Sequence, residues 1–193
     1  MFPKISILLL VPLLFFACKE KQKSTSTDQE ETNKETYFSV TQFLDDQWAN
    51  RHGIPYTLQR VTVLNGRSDT TYVLLDSTLW QNIRAQFDAA DISEVKFLDR
   101  YQFSFVEDNT TETNNLMYEA KEEDLFLQSM VVAADMFTDM VRTVYLETKD
   151  TREGYTRTQK LSYIPDQVIQ IQEFEKSSAT PKKELLIQYK FEY

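Results

Sequence analysis

From Tyr37 onward the apolar positions first follow helical spacing, then a strand-like pair, then helical spacing again, and finally alternate to the end of the chain. The first stretch opens with Phe38, Ser39 and Gln42, a capping-box arrangement, and Phe43 is placed to meet Phe38 as a hydrophobic staple. Val40, Phe43, Leu44 and Trp48 make one apolar stripe, and Gly53 and Pro55 stop it, so a helix is predicted over about residues 39–52. Two β-rich runs, residues 56–64 and 70–75, flank Asn65-Gly66, the strongest short-range hairpin signal. Asp76-Ser77 then supply a cap for a second helix to about residue 90, with Leu79, Trp80, Ile83 and Phe87 on one side.

From about Arg100 the period becomes 2. Tyr101, Phe103 and Phe105 alternate with Gln102 and Ser104; beyond the polar turn of residues 107–114, Leu116, Tyr118 and Ala120 alternate with Met117 and Glu119. Residues 125–134 suit either a strand or a helix, but the turn-like residues 135–139 and the β-branched run of residues 141–148 favour a hairpin. Residues 156–164 and 167–175 flank Pro165-Asp166, and Leu185, Ile187, Tyr189, Phe191 and Tyr193 alternate without a break. Short connections with no intervening helices imply antiparallel pairing. The expected fold is α+β, with two helices in the N-terminal half packed on a curved antiparallel β-meander. Two helices cannot cover seven or more strands. The sheet must therefore curve on itself, form a half-barrel, or leave part of its face for a partner.

The chain ahead of this domain has a different character. Residues 1–17 carry one Lys, at position 4, then an apolar run from Ile5 to Phe16 broken only by Ser6 and Pro12, then Ala17 just before Cys18. The run is shorter than the ~20 residues a spanning helix needs, which favours an export signal over a retained anchor. With Cys18 the segment resembles a bacterial lipoprotein signal, with Phe15 where the commonest lipobox has Leu, a looser form similar to that of Bacteroidota lipoproteins. The resemblance implies that Cys18 is diacylated on sulfur, freed by cleavage, and acylated again on its new amino group by a palmitate-type chain. Each buried CH₂ is worth about 0.8 kcal/mol, and two or more chains make a stable anchor. Residues 19–36 contain no Val, Ile, Leu, Met or aromatic residue and read as a flexible polar tether reaching roughly 20–25 Å. Lys19 stands where an Asp would resemble an inner-membrane retention signal, so the outer membrane is expected, with periplasmic or surface exposure left open. The domain organisation is thus 1–17 signal, 18–36 lipidated Cys and tether, and 37–193 a single α+β domain, a length that buries roughly two-thirds of its unfolded surface.

Composition narrows the chemistry. In 193 residues there are 21 Lys+Arg and 30 Asp+Glu, a formal charge of −9; loss of Lys4 with the signal leaves 20 basic residues and −10. Such a charge repels nucleic acid and anionic head groups. One Cys and one His exclude a disulfide framework and Cys/His zinc patterns. His52 lies at the end of the first helix, where a polar or cationic group suits the helix C-terminus better than catalysis. Asp45-Asp46 point about 100° apart on a helix and read as a solvated face. Glu107-Asp108-Asn109 and Glu122-Glu123-Asp124 are the densest oxygen clusters, and neither follows a calcium-loop spacing. Asp69-Thr70-Thr71 and Asp76-Ser77-Thr78 resemble the short O-glycan acceptor sites of exported Bacteroidota proteins, with helix capping competing at Asp76. Trp48 and Trp80 could stack a sugar, but on amphipathic stripes they read as core.

No catalytic, metal or cofactor residues are therefore assigned, and Cys18 is the expected modification site. The expected function is a membrane-anchored, non-enzymatic binding or structural module for an envelope protein or component. The alternative is a carrier of a lipid or apolar ligand, with Phe103, Phe105, Tyr189 and Phe191 lining a cavity; a carboxylate-dependent hydrolase is weaker.

Overall fold

The structure is a computed structural model, and it describes residues 36–51 and 54–192. Helix α1 spans Val40–Arg51 and α2 spans Ser77–Asp88. Between them β1, Thr57–Leu64, and β2, Arg67–Leu74, form the first hairpin. Its turn is Asn65-Gly66, with φ of 49° and 81°, the left-handed pair that a two-residue hairpin with the native strand twist requires.

A short 3₁₀ turn, Val95–Phe97, precedes seven consecutive strands. They are β3 Tyr101–Asp108, β4 Thr113–Ala120, β5 Leu127–Asp135, β6 Val141–Arg152, β7 Tyr155–Ile164, β8 Val168–Ser177 and β9 Lys183–Phe191. Residues 127–135, open between helix and strand by periodicity, are strand. All pairings are antiparallel, and the nine strands make one open sheet in the order β2-β1-β9-β8-β7-β6-β5-β4-β3. The seven later strands follow one another across the sheet. The early hairpin departs from that sequence by adding to β9, so that, among the described strands, the first is paired on both sides, by the second and by the last.

Because opposed residues share a face, the register defines the two sides of the sheet. One inner row runs Arg60, Tyr189, Ile169, Tyr163, Val144, Val132, Leu116, Phe105. The next runs Thr62, Ile187, Ile171, Leu161, Leu146, Met130, Tyr118, Phe103. Tyr163, Val144, Val132, Leu161, Leu146 and Met130 are fully buried in the middle of these rows. The opposite face carries Gln188, Gln170, Ser162 and Lys160, with Gln188 Nε2 donating to Gln170 Oε1 at 2.7 Å.

Phe43 of α1 and Trp80 of α2 both meet the Tyr163 ring edge-on, at 5.5 and 6.3 Å, and Trp48 stacks on Trp80 at 5.5 Å. Arg84 of α2 pairs with Asp45 of α1 and Asp88 of its own helix, each at 3.1 Å. The start of α1 has the expected Ser39 cap, whose Oγ accepts from Gln42 N at 3.1 Å, and the Phe38–Phe43 staple at 5.9 Å. The box is not closed reciprocally, because Gln42 Nε2 turns forward to Asp46 Oδ1 at 2.9 Å. Asp91 adds a further acceptor at this helix start, taking Thr41 N at 2.7 Å and the Ser39 hydroxyl at 2.9 Å. Burial pushes the Asp91 carboxyl up, but its bonds from Ser93, Thr41 and Ser39 outweigh that and hold it below the ordinary value.

Candidate functional site

The site of interest is the β3 margin of the inner face. The core rows end there without a charged or polar stop. Exposure rises from zero at Val132 and Met130 to 49% at Phe103 and 50% at Phe105, and Val106 on the opposite face is 46% exposed. Phe103 tilts against Tyr118 at 5.2 Å, while Tyr37 crosses Tyr118 at 5.1 Å and Tyr101 at 6.4 Å, so the Phe103 ring sits on an aromatic base. Among the described residues no strand pairs with the outer side of β3. Lys121 N donates to Arg100 O at 3.0 Å, so the even-numbered residues of β3 direct their backbone groups to β4 and the odd-numbered ones direct theirs outward. Tyr37 Oη donates to the outward Tyr101 carbonyl at 3.2 Å. Beyond that contact lie Phe103, Phe105 and Glu107. The strand contains no Lys or Pro, the residues that blunt natural edges.

The polar end of the inner face is closed by a different device. Glu173, 5% exposed, accepts from Arg157 Nε at 2.8 Å, Gln159 Nε2 at 3.1 Å and Lys183 Nζ at 3.0 Å. Gln159 also donates to Gln86 of α2 at 3.2 Å, tying this cluster to the helix. Burial raises the Glu173 carboxyl, and the bonds from Arg157 and Lys183 overcome it, so the group stays ionised below the usual carboxylate range. The cluster joins Arg157 and Gln159 of β7 and Lys183 of β9 to one carboxylate of β8, that of Glu173.

Two adjoining open grooves of about 480 Å³ each meet at Met140, Val141 and Pro165. Arg51, 5% exposed, lies in the wall of one, pairs with Asp166 in the β7–β8 turn, and places its guanidinium 5.3 Å from the centre of the Phe191 ring. In the other, Arg142 pairs with Asp135. Backbone donation from Phe137 and the Arg142 guanidinium hold the Asp135 carboxyl at about 2. Each groove thus pairs its buried or anchoring cation with a carboxylate of its own wall.

The residues singled out from sequence are mostly kept apart. Tyr189 and Phe191 are buried on β9, whereas Phe103 and Phe105 lie on β3, six strand spacings or roughly 29 Å along the sheet. The four aromatics proposed for a cavity therefore do not share one neighbourhood along the sheet. Asp108 accepts from Thr110 N and Thr111 Oγ1, both at 2.8 Å, at one end of the β3–β4 hairpin. Glu122 pairs with Arg100 at 2.7 Å at the other end, about seven residue steps or roughly 24 Å away. The two acidic clusters do not converge. Asp45 and Asp46 take separate partners, Arg84 and Gln42. Asp76 caps α2, accepting from Leu79 N at 2.8 Å, while Asp69 and Thr70 lie exposed on the edge strand β2. Trp80 is core and Trp48 is half-buried against it. Cys18 and His52 lie outside the described residues. Arg51, beside His52, closes the helix end, its Nη1 donating to Gln47 O at 3.2 Å.

Sequence reading missed the roles of Arg51, Asp91 and Glu173. Periodicity placed Glu173 in a strand, but nothing local marks one of many acids as the one that Arg157 and Lys183 surround.

Among the described residues no three His, Cys, Asp or Glu side chains gather so as to hold a metal ion, and no helix is long and apolar enough to cross a membrane. No family model, curated protein or solved structure matches the chain.

Proposed function

We propose that this protein is a lipid-anchored module of the bacterial outer membrane that binds an envelope protein and catalyses nothing. Acyl chains on Cys18 hold it at the bilayer, residues 19–36 let the domain stand away from the surface, and a curved antiparallel sheet carrying the two helices presents the contact surface. The observation that carries this reading is the β3 margin, where two core rows end in half-exposed Phe103 and Phe105 beside an unpaired strand edge. Backbone groups at such an edge supply a ladder, and the two rings supply apolar anchors. The buried charges elsewhere are already paired, which supports a contact role over a chemical one.

The test has two parts. Mass spectrometry of the detergent-extracted protein is expected to find the mature chain beginning at Cys18 with the mass of its acyl groups. Photo-cross-linking residues introduced at Phe103 or Phe105 are expected to give at least tenfold more protein adduct than the same group at Ser162 or Gln170 on the opposite face. A mature chain that begins elsewhere and carries no lipid removes the anchor. Equal cross-linking from both faces removes the binding margin.

A further inference from the structure

We infer that the partner of the β3 edge is the β3 edge of a second copy of this chain, paired antiparallel about a two-fold axis through Ser104. The inference rests on the binding margin proposed above and names its occupant. A strand pairing with itself must oppose residues whose numbers share a constant sum, and because the outward backbone groups belong to odd-numbered residues, that sum is even. The register that centres on Ser104 opposes Phe103 to Phe105 of the other copy, and Phe105 to its Phe103. Each of these pairs exchanges both backbone bonds, and each core row of one copy runs on into a core row of the other.

Charge selects the same register. Arg100, one residue before β3 and also held to Glu122 at 2.7 Å, and Asp108, its last residue and also bound by Thr110 and Thr111, fall by alternation on the opposite face, and centring on Ser104 brings each against its opposite in the second copy. Shifting the centre by one residue either way sets Phe103 or Phe105 against its own mate and leaves the other against Tyr101 or Glu107; Arg100 and Asp108 then no longer meet. Centring on Phe103 makes three aromatic pairs, whereas centring on Ser104 makes two aromatic and two opposite-charge pairs; at roughly 0.2–1 kcal/mol for each pair, it is the charge pairs that select the Ser104 register. The tether has no apolar side chain with which to cover Phe103 and Phe105 itself. The formal charge near −10 on each mature copy opposes association at low ionic strength, and at 0.15 M salt, where the screening length is about 8 Å, only the local pairs count.

The experiment introduces one cysteine at a time into the full-length protein in membranes at 0.15 M salt under mild oxidation, with the unsubstituted chain, which keeps Cys18, setting the background of dimer through that residue. Even-numbered residues form the non-hydrogen-bonded pairs, whose Cα atoms stand about 4.5 Å apart, within disulfide range. Ser104→Cys is expected to give at least tenfold more covalent dimer than Gln102→Cys or Val106→Cys alone, and an equal mixture of Gln102→Cys and Val106→Cys is expected to restore it. Adding Phe103→Ser and Phe105→Ser to the Ser104→Cys chain is expected to reduce the dimer at least tenfold, with circular dichroism unchanged. Absence of the Ser104→Cys dimer, or equal yields from all three single variants, overturns the pairing. If the photo-cross-linkers at Phe103 and Phe105 capture a different identified protein while Ser104→Cys stays monomeric, this inference falls and the binding margin stands. If neither method yields an adduct, both fall.

Discussion

The middle and the β3 margin of the inner sheet face are built from the same two rows of residues, yet they serve opposite ends. In the middle, Tyr163, Leu161, Val144 and Leu146 are fully buried, and the Tyr163 ring meets Phe43 and Trp80. Two strands further on, the rows reach Leu116 and Tyr118, and at β3 they emerge as Phe103 and Phe105, half exposed. Alternation along each strand is identical in both regions. The difference comes from what lies above them. Two twelve-residue helices, about 18 Å each, cannot roof nine strands spaced by about 4.8 Å. Apolar side chains are therefore buried near Phe43 and Trp80 and half exposed at β3.

Truncation should separate the two regions most clearly. Leu161→Ala in the covered middle is expected to cost about 2–5 kcal/mol of unfolding free energy in urea titration. A loss as small as that of a surface change would mean the helices do not seal that stretch. At the polar end of the same rows, Glu173→Gln should cost roughly 1–3 kcal/mol at pH 7, reduced from the fully buried case because Arg157 and Lys183 keep partial contact with water. The sign of its pH dependence follows from a folded carboxyl held below its unfolded value. Its stabilisation is complete above the unfolded value of about 4.3 and vanishes as pH falls through the folded one, so the stabilities of wild type and variant should converge in acid. A gap that stays constant from pH 7 down through acid unfolding would assign the effect to shape alone.

Smaller effects are expected outside the rows. Gly154 has φ of 70°, and a Cβ there would stand 2.8 Å from Ser178 Oγ, so Gly154→Ala should destabilise by about 1–2 kcal/mol. Asp91→Ala removes the acceptor at the start of α1 and should cost about 1 kcal/mol, read as a shift in the denaturation midpoint at unchanged slope. Phe105→Ser at the margin should change stability by no more than about 0.5 kcal/mol, while diminishing association. Strong destabilisation by that change would mean that the margin belongs to the core.

Much of the fold was legible because it is governed locally. Asn65-Gly66 can take the two left-handed conformations of its turn, Asp76 offers a side-chain acceptor to Leu79 N, and β-branched and aromatic alternation marks the strands from Tyr101 to Phe191. The insertion of β1 between β2 and β9 was not legible, since no residue near Thr57 states which strand it will meet more than a hundred positions later. The same limit hid the Asp166 partner of Arg51 and the place of Asp91 beside Ser39.

Local sequence alone thus determined the element types, their turns and caps, the surplus of strands over helices, and the expectation that Cys18 carries a lipid, since each depends on side chains within a few positions of one another. Tertiary structure decided the order of strands, which acids are buried with cations, and which Phe residues face water. Those depend on contacts between residues far apart in sequence: Phe43 and Trp80 meet Tyr163 in the buried middle of the sheet, whereas Phe103 and Phe105 on the edge strand β3 stay half exposed.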